Sequence, residues 1–264
     1  MIYGGGQRRT RRRTEYPNGA PILLYVVVNG SWGPRAEFVP GVAERLSGTL
    51  RALEEIDGST FQRWHEAGND IPSDPVVEPS VPAMAEYIER KNTGPDLDVM
   101  GYTTSLWARN PGAAYVSIAI HAGGTSRYAV SSVSLVFRSR EIDETAEVIR
   151  RAPRILRLLA ENWEIDAGQV YDKHQYRAVA ERWDLANSDP RCGRAVYLSA
   201  GRAALAPEGL PAMYVRTAHG GLVIDLTLGG AVSPAIETIL EANARLRAAG
   251  ALDKLATPFD RATF

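Results

Sequence analysis

Ile22 to Val28 is an unbroken apolar stretch rich in β-branched side chains and bounded by turn-forming residues, and it fits a buried strand. The next apolar pattern has a different period. Phe38, Val42, Leu46, Leu50 and Leu53 recur at helical spacing and predict an amphipathic helix from about Ala36 to Ile56, packed on that strand. Pro40-Gly41 marks its first turn, where proline is tolerated, and Asp57-Gly58-Ser59 ends it. Between the two elements, Asn29-Gly30-Ser31-Trp32 reads as a turn.

Strand and helix signals then continue along the chain. Phe61 and Trp64 form a short helical turn, and four prolines between residues 70 and 82 predict an extended surface connection. Tyr102 to Trp107, Ala114 to His121 and Tyr128 to Phe137 read as strands, the last two joined through Gly123-Gly124 as a hairpin. The second half places a long helix at Ile142 to Trp163, with Pro153 as a kink. Strands come next at Val196 to Leu198, Ala212 to Thr217 and Leu222 to Leu228, and a last helix runs from Ser233-Pro234 to Gly250. The expected fold class is α+β: mostly antiparallel or mixed sheets with long helices packed on them. Residues 21–264 are expected to form one such domain, divisible into two similar lobes at about 21–140 and 141–264.

Charge separates the N-terminal residues from the rest. The chain carries a formal net charge of −1, yet Arg8, Arg9, Arg11, Arg12 and Arg13 lie together beside Gly4-Gly5-Gly6. Residues 1–20 therefore read as a disordered basic tail. Removing those five charges lowers the balance from −1 to −6, which argues against nucleic-acid binding by the folded body. The single cysteine, Cys192, cannot form an internal disulfide. No apolar run approaches the roughly 20 residues that span a bilayer. The expectation is a cytoplasmic protein with no membrane association.

A search for catalytic chemistry finds little. No phosphate-binding glycine motif follows a strand and opens a helix, so no nucleotide cofactor is expected. The four histidines, His65, His121, His174 and His219, are scattered without metal-ligand spacing, and no metal site is predicted. His121 and His219 each sit where a strand enters a Gly-Gly turn, which leaves open their approach in the fold. Cys192 lies between Arg191 and Arg194, cations able to stabilise a thiolate; a small loop residue is the plainer alternative.

The aromatic residues say more. Trp163 and Trp64 end helices, where tryptophan commonly plugs a core edge. Trp32, in a Gly-Pro turn beside Arg35, is either core or an exposed interface anchor. Trp32, Arg35, Trp64 and His65 are accordingly the candidate partner-binding residues, together with the proline-rich 70–82 segment.

Three features taken together carry a family resemblance: Asn29-Gly30-Ser31-Trp32-Gly33-Pro34-Arg35, the helix running into Asp57 and Phe61-Gln62-Arg63-Trp64, and Asn162-Trp163-Glu164. The chain resembles the immunity protein 52 family of bacterial polymorphic toxin systems, which is marked by tryptophans, a G-x-S element and a W-E dipeptide. Trp163-Glu164 matches the dipeptide, as a structural element. Gly30-Ser31 and Gly58-Ser59 both lack the intervening residue of the G-x-S. The resemblance covers about residues 21 to 250 and implies an α+β fold, no enzymatic activity and no cofactor. It also implies a cognate toxin as partner, commonly one with a restriction-endonuclease-like nuclease domain delivered by type VI secretion. A mildly acidic body suits a basic nuclease through electrostatic steering. Two other readings stand beside it: a small-molecule hydrolase using Cys192 or the two histidine turns, and a nucleic-acid-associated protein acting through its arginine tail.

Overall fold

The computed structural model describes residues 24–68, 74–139 and 141–264; the expected basic tail and part of the 70–82 connection lie outside the described residues. In chain order the described elements are β1 (Leu24–Trp32), α1 (Val39–Ile56), α2 (Gly58–Phe61), β2 (His65–Glu66), α3 (Val81–Lys91), α4 (Leu97–Met100), β3 (Tyr102–Ala108), β4 (Tyr115–Ala122), β5 (Ser131–Ser139), α5 (Ile142–Trp163), β6 (Ala167–Asp172), α6 (Lys173–Trp183), β7 (Ala195–Leu198), α7 (Ala200–Leu205), β8 (Met213–Arg216), β9 (Leu222–Asp225) and α8 (Ile236–Ala248). The strands form one sheet in the order β2-β3-β4-β5-β1-β6-β7-β9-β8, and every neighbouring pair is antiparallel. The chain is thus α+β, with its helices laid on an antiparallel sheet.

The first strand holds this sheet together. β1 pairs with β5 from Leu24↔Ser139 to Trp32↔Ser131, and on its other edge with β6 from Val26↔Asp172 to Ser31↔Ala167. The turn expected at residues 29–32 is therefore strand. Gly30 is there because its missing side chain makes room: a Cβ would collide with Ile165. α1 begins at Val39 and carries its proline in the first turn, burying Val42, Leu46, Leu50 and Leu53. α8 starts at Ile236, two residues after the expected Ser233-Pro234, with no side-chain cap.

Side-chain alternation sends the two faces of the sheet to different fates. On one face Val26, Val28, Val116, Ile118, Val133, Leu135 and Phe137 join residues of α1, α3 and α5 in the main core. On the opposite face only the β7-β9 end is covered, where Val196, Leu198, Leu222 and Ile224 meet Val179 of α6 and Ile239, Ala242 and Leu246 of α8. Among the described residues no helix lies across the same face of β3, β4, β5 and β1, and on β6 Tyr171 meets Tyr176 of α6 at 4.7 Å. Registered across those strands there are Ser105, Ala119, Ser134, Asn29 and Gln169, a floor of small and amide side chains.

Candidate interaction surface

Two of the tryptophans singled out in the sequence meet in space. Trp32 at the end of β1 stacks on Trp163 at the end of α5, with ring centroids 5.7 Å apart. Both are buried, at 1% and 0% exposed. The Trp163 indole donates to Thr49 Oγ1 at 2.9 Å, tying α5 to α1. Of the two readings left open for Trp32, the structure shows the core one and corrects the exposed anchor: residues 29–32 continue β1 as strand, so the ring turns into the core. Arg35 covers this pair. Its guanidinium lies 5.2 Å from the Trp32 ring centroid and donates to Trp163 O at 2.9 Å.

A charge cluster surrounds that lid. Arg45 bonds Glu37 at 2.8 Å, Asn162 O at 2.5 Å and Glu164 at 2.9 Å, and Arg35 Nε lies 3.3 Å from Glu37. Burial lowers the Arg35 pKa most, against the raising influence of Glu37. Glu164 holds φ +48°, a left-handed residue that ends α5 and turns the chain into β6. Its carboxyl sits below the ordinary value because Arg45 hydrogen-bonds the charged form. These residues bind α1, α5 and β1 to one another, which is the work of a structural brace.

Trp64 and His65 lie elsewhere. Trp64 is 2% exposed and stacks on Phe61 at 6.3 Å, the core position expected of it, so as a partner-binding candidate it presents no surface. Its neighbour His65, on β2, faces the other way. There it stacks on Trp107 at 4.4 Å, and Trp107 in turn on Tyr115 at 6.0 Å. Arg138 and Tyr25 continue this line, giving the open face an aromatic and cationic rim.

Of the groups considered for catalysis, His121 is occupied and Cys192 shielded, while His219 is exposed. Both nitrogens of His121 reach backbone carbonyls, Nδ1 to Val130 at 3.0 Å and Nε2 to Met100 at 2.6 Å. Cys192 is fully buried, and desolvation, with Asp225 nearby, pushes its thiol up to about 12. A thiolate nucleophile is strongly disfavoured there. Among the described residues no three histidine, cysteine or carboxylate side chains gather as metal ligands.

The open face ends in two cavities that sequence reasoning missed. One, of about 260 Å³, lies over Asn29, Gln169 and Ser132 and against Asn187, Asp189 and Arg191 of the loop after α6. The second, of about 290 Å³, continues past Trp32 to Lys254 and Phe259, and the two share Ser31, Val130, Ser188, Asp189 and Pro190. Behind the second stands a buried ion pair. Arg202, at 0% exposed, donates to Asp166 Oδ2 from Nε at 2.9 Å and Nη2 at 2.8 Å, and from Nη1 to Ala251 O at 3.0 Å and Asp253 O at 2.7 Å. Asp166 also accepts from Ser199 Oγ at 3.0 Å and from the Phe264 backbone at 2.6 Å.

The sequence profile of the immunity protein 52 family matches residues 25–253. The chain belongs to that family. No curated protein matches its sequence. Among solved structures, this immunity protein 52 chain resembles the Pseudomonas aeruginosa T6SS protein PA0821, with 14% identity and a TM-score of 0.50. That match covers 87% of this chain and 73% of the other, and it is a likeness of fold. A structure of the toxic C-terminal tip of CdiA from Pseudomonas aeruginosa in complex with its immune protein also aligns. It does so at 10% identity and a TM-score of 0.29, over 57% of this chain and 88% of the other, an overlap too loose to bear on fold or function. Among the described residues no helix is long and apolar enough to cross a membrane.

Proposed function

We propose that this chain is an immunity protein that neutralises a cognate bacterial toxin by forming a stoichiometric complex with it. The observation that carries this reading is the family match over residues 25–253. Surface chemistry supports it. The open sheet face offers a broad floor of small side chains bordered by Tyr115 and Arg138, residue types that anchor protein interfaces, with Trp107 buried behind Tyr115. On this reading the protein acts by shape and needs no cofactor. Its toxin is a restriction-endonuclease-like nuclease, delivered by type VI secretion and met in the cytoplasm. Of the four partner-binding candidates, Arg35, His65 and the indole edge of Trp32 at the second cavity touch the toxin, while Trp64 supports them from within. We also read residues 21–264 as one folding unit, because β1 is shared between the strands of the two halves.

The test is co-expression. The product of the adjacent gene is induced in a sensitive host with and without this protein, and growth is monitored. Rescue is expected, with a 1:1 complex on size exclusion. Undiminished killing in the co-expressing cells would eliminate the reading for that toxin.

A further inference from the structure

The two joined cavities differ from the other hollow places in the molecule. A cavity of about 370 Å³ beside α2 and the start of α5 is lined by charges that already have partners: Asp57 with Arg151, and Glu147 with Arg150 and Arg151. In the cavities at the end of the open face, polar atoms are buried without partners. Asn29, Gln169 and Arg191 line the first and Trp32 lines the second, and each carries such an atom: Asn29 Oδ1, Gln169 Oε1, Arg191 Nη1 and Trp32 Nε1. Gln169, Arg191 and Trp32 are 6%, 2% and 1% exposed, so bulk solvent does not satisfy them. Buried polar groups in a finished core are almost always paired. Others are scattered, at Trp64 Nε1, Thr104 Oγ1 and Thr217 Oγ1 among them, but four gathered along one groove mark it as unfinished.

Their chemistry states what would finish it. Two are acceptors and two are donors, the mixture that a polypeptide backbone and its amide side chains complement. Charge adds a preference. Arg191 stacks over Tyr176 at 4.2 Å and donates from Nε to Asp189 O at 3.2 Å and from Nη2 to Ala186 O, both backbone carbonyls. The nearby carboxylate of Asp189 is held instead by Lys254 at 2.7 Å and by the Ala186 amide at 2.8 Å. Arg247 crowds the same place, donating to Pro190 O at 2.6 Å. The groove thus has cations in excess of carboxylates. Both edges of β1 and of β6 are used within the sheet, so an occupant lies across the floor and does not add a strand.

We propose that this groove is the seat of the toxin, taking an extended acidic segment whose carboxylate pairs with Arg191 and whose amide groups satisfy Asn29, Gln169 and Trp32. This rests on the neutralisation reading above. It goes further by naming the site and the chemistry of the segment that fills it.

The experiment measures affinity between the full chain and the purified product of the adjacent gene by titration calorimetry. Ser188 is exposed and lines both cavities, so S188W fills the groove from its mouth without entering the core. Binding is expected to weaken about 100-fold or more, as for loss of a hot spot, with an unchanged melting temperature. E54W, the same bulk at an exposed position of α1, should bind like wild type. R191M should also weaken binding, with partial recovery in R191K; should R191M not fold, S188W decides alone. Replacing the toxin's acidic residues one at a time by amides should find one that reproduces the loss and adds nothing in the R191M background. Failure of the wild-type protein to bind removes both the neutralisation reading and this one. Wild-type binding that S188W leaves intact removes only the groove. Absence of any sensitive acidic residue, or a concentration-dependent dimer of this chain dissolved by S188W, also overturns the assignment.

Discussion

Replacing Arg202 by methionine tests how far the buried ion pair holds the two ends of the second half together. The side chain is fully enclosed, and the change removes two hydrogen bonds from Asp166 and one donor from each of the Ala251 and Asp253 carbonyls. Asp166 keeps Ser199 Oγ and the Phe264 amide, but its cation is gone. Breaking a buried pair from one side strands the other charge in a poorly solvated place, at a cost of about 3–5 kcal/mol. D166N strands the guanidinium instead and is expected to cost a similar amount. The double variant strands neither charge, so it should be less destabilised than the two singles summed, by a coupling of about 2–3 kcal/mol. Urea unfolding monitored by tryptophan fluorescence gives all four free energies, with equal slopes required for the comparison. A second readout is local. The Phe264 ring lies 4.6 Å from the Arg202 guanidinium, so R202M should speed amide exchange at the C-terminal residues before global unfolding. A loss under about 1 kcal/mol for R202M, or strict additivity in the double variant, would refute the pair as a structural lock.

Three other perturbations have outcomes set by the same packing and charges. E164G should hold or raise the melting temperature, because a left-handed non-glycine residue costs about 1–2 kcal/mol and the half-exposed ion pair with Arg45 returns less; a drop of several degrees would contradict this. Burial alone pushes the Asp57 carboxyl up, but hydrogen bonds from Ser59 and Thr60 and the charge of Arg151 outweigh it and hold the group below its ordinary value. Its contribution is therefore present above the unfolded value of about 3.9 and lost as pH falls through the lower folded one. D57N should be less stable at neutral pH and show a flatter decline below about pH 4 in urea midpoints, and parallel curves would count against it. Cys192 should resist a thiol reagent such as Ellman's at pH 8 in the native protein and react at once in denaturant; fast native labelling would contradict its burial.

Much of the first half is readable because its signals are local. The apolar periodicity of α1 and the alternation in β4 and β5 each state which side faces the core, and the structure places those residues there. The segment from β6 through α6 is not readable in that way. Ala167-Gly168-Gln169-Val170 has no apolar run, because Gly168 sits where a Cβ would come within 2.8 Å of Asn29 O and of Leu156 Cδ1. A signal does exist: Asp172 and Gln175 form a reciprocal capping box at the start of α6. Trp32 is misplaced by sequence reasoning for the opposite reason. Asn-Gly-Ser is turn chemistry in isolation, and only the pairing of β1 on both edges makes it strand. The groove is invisible for a third reason, since Asn29, Gln169 and Arg191 become neighbours only through strand register and the loop after α6.

The position of the groove is a consequence of how the two halves cover the sheet. α1, α3 and α5 take one face, and α6 and α8 take the other, but only at the β7-β9 end. A sheet covered in this way has a step where the second layer of helices stops, and at β6 the open floor meets a wall. Side chains at such a step are half inside the protein. The chain cannot pair all of them without closing the step, and leaving them unpaired costs stability in the free protein. A partner that brings the missing donors and acceptors recovers that cost, while one that brings apolar groups does not. Unpaired amides and an uncompensated arginine therefore favour one toxin over others of similar shape, because a mismatched partner buries them a second time without relief.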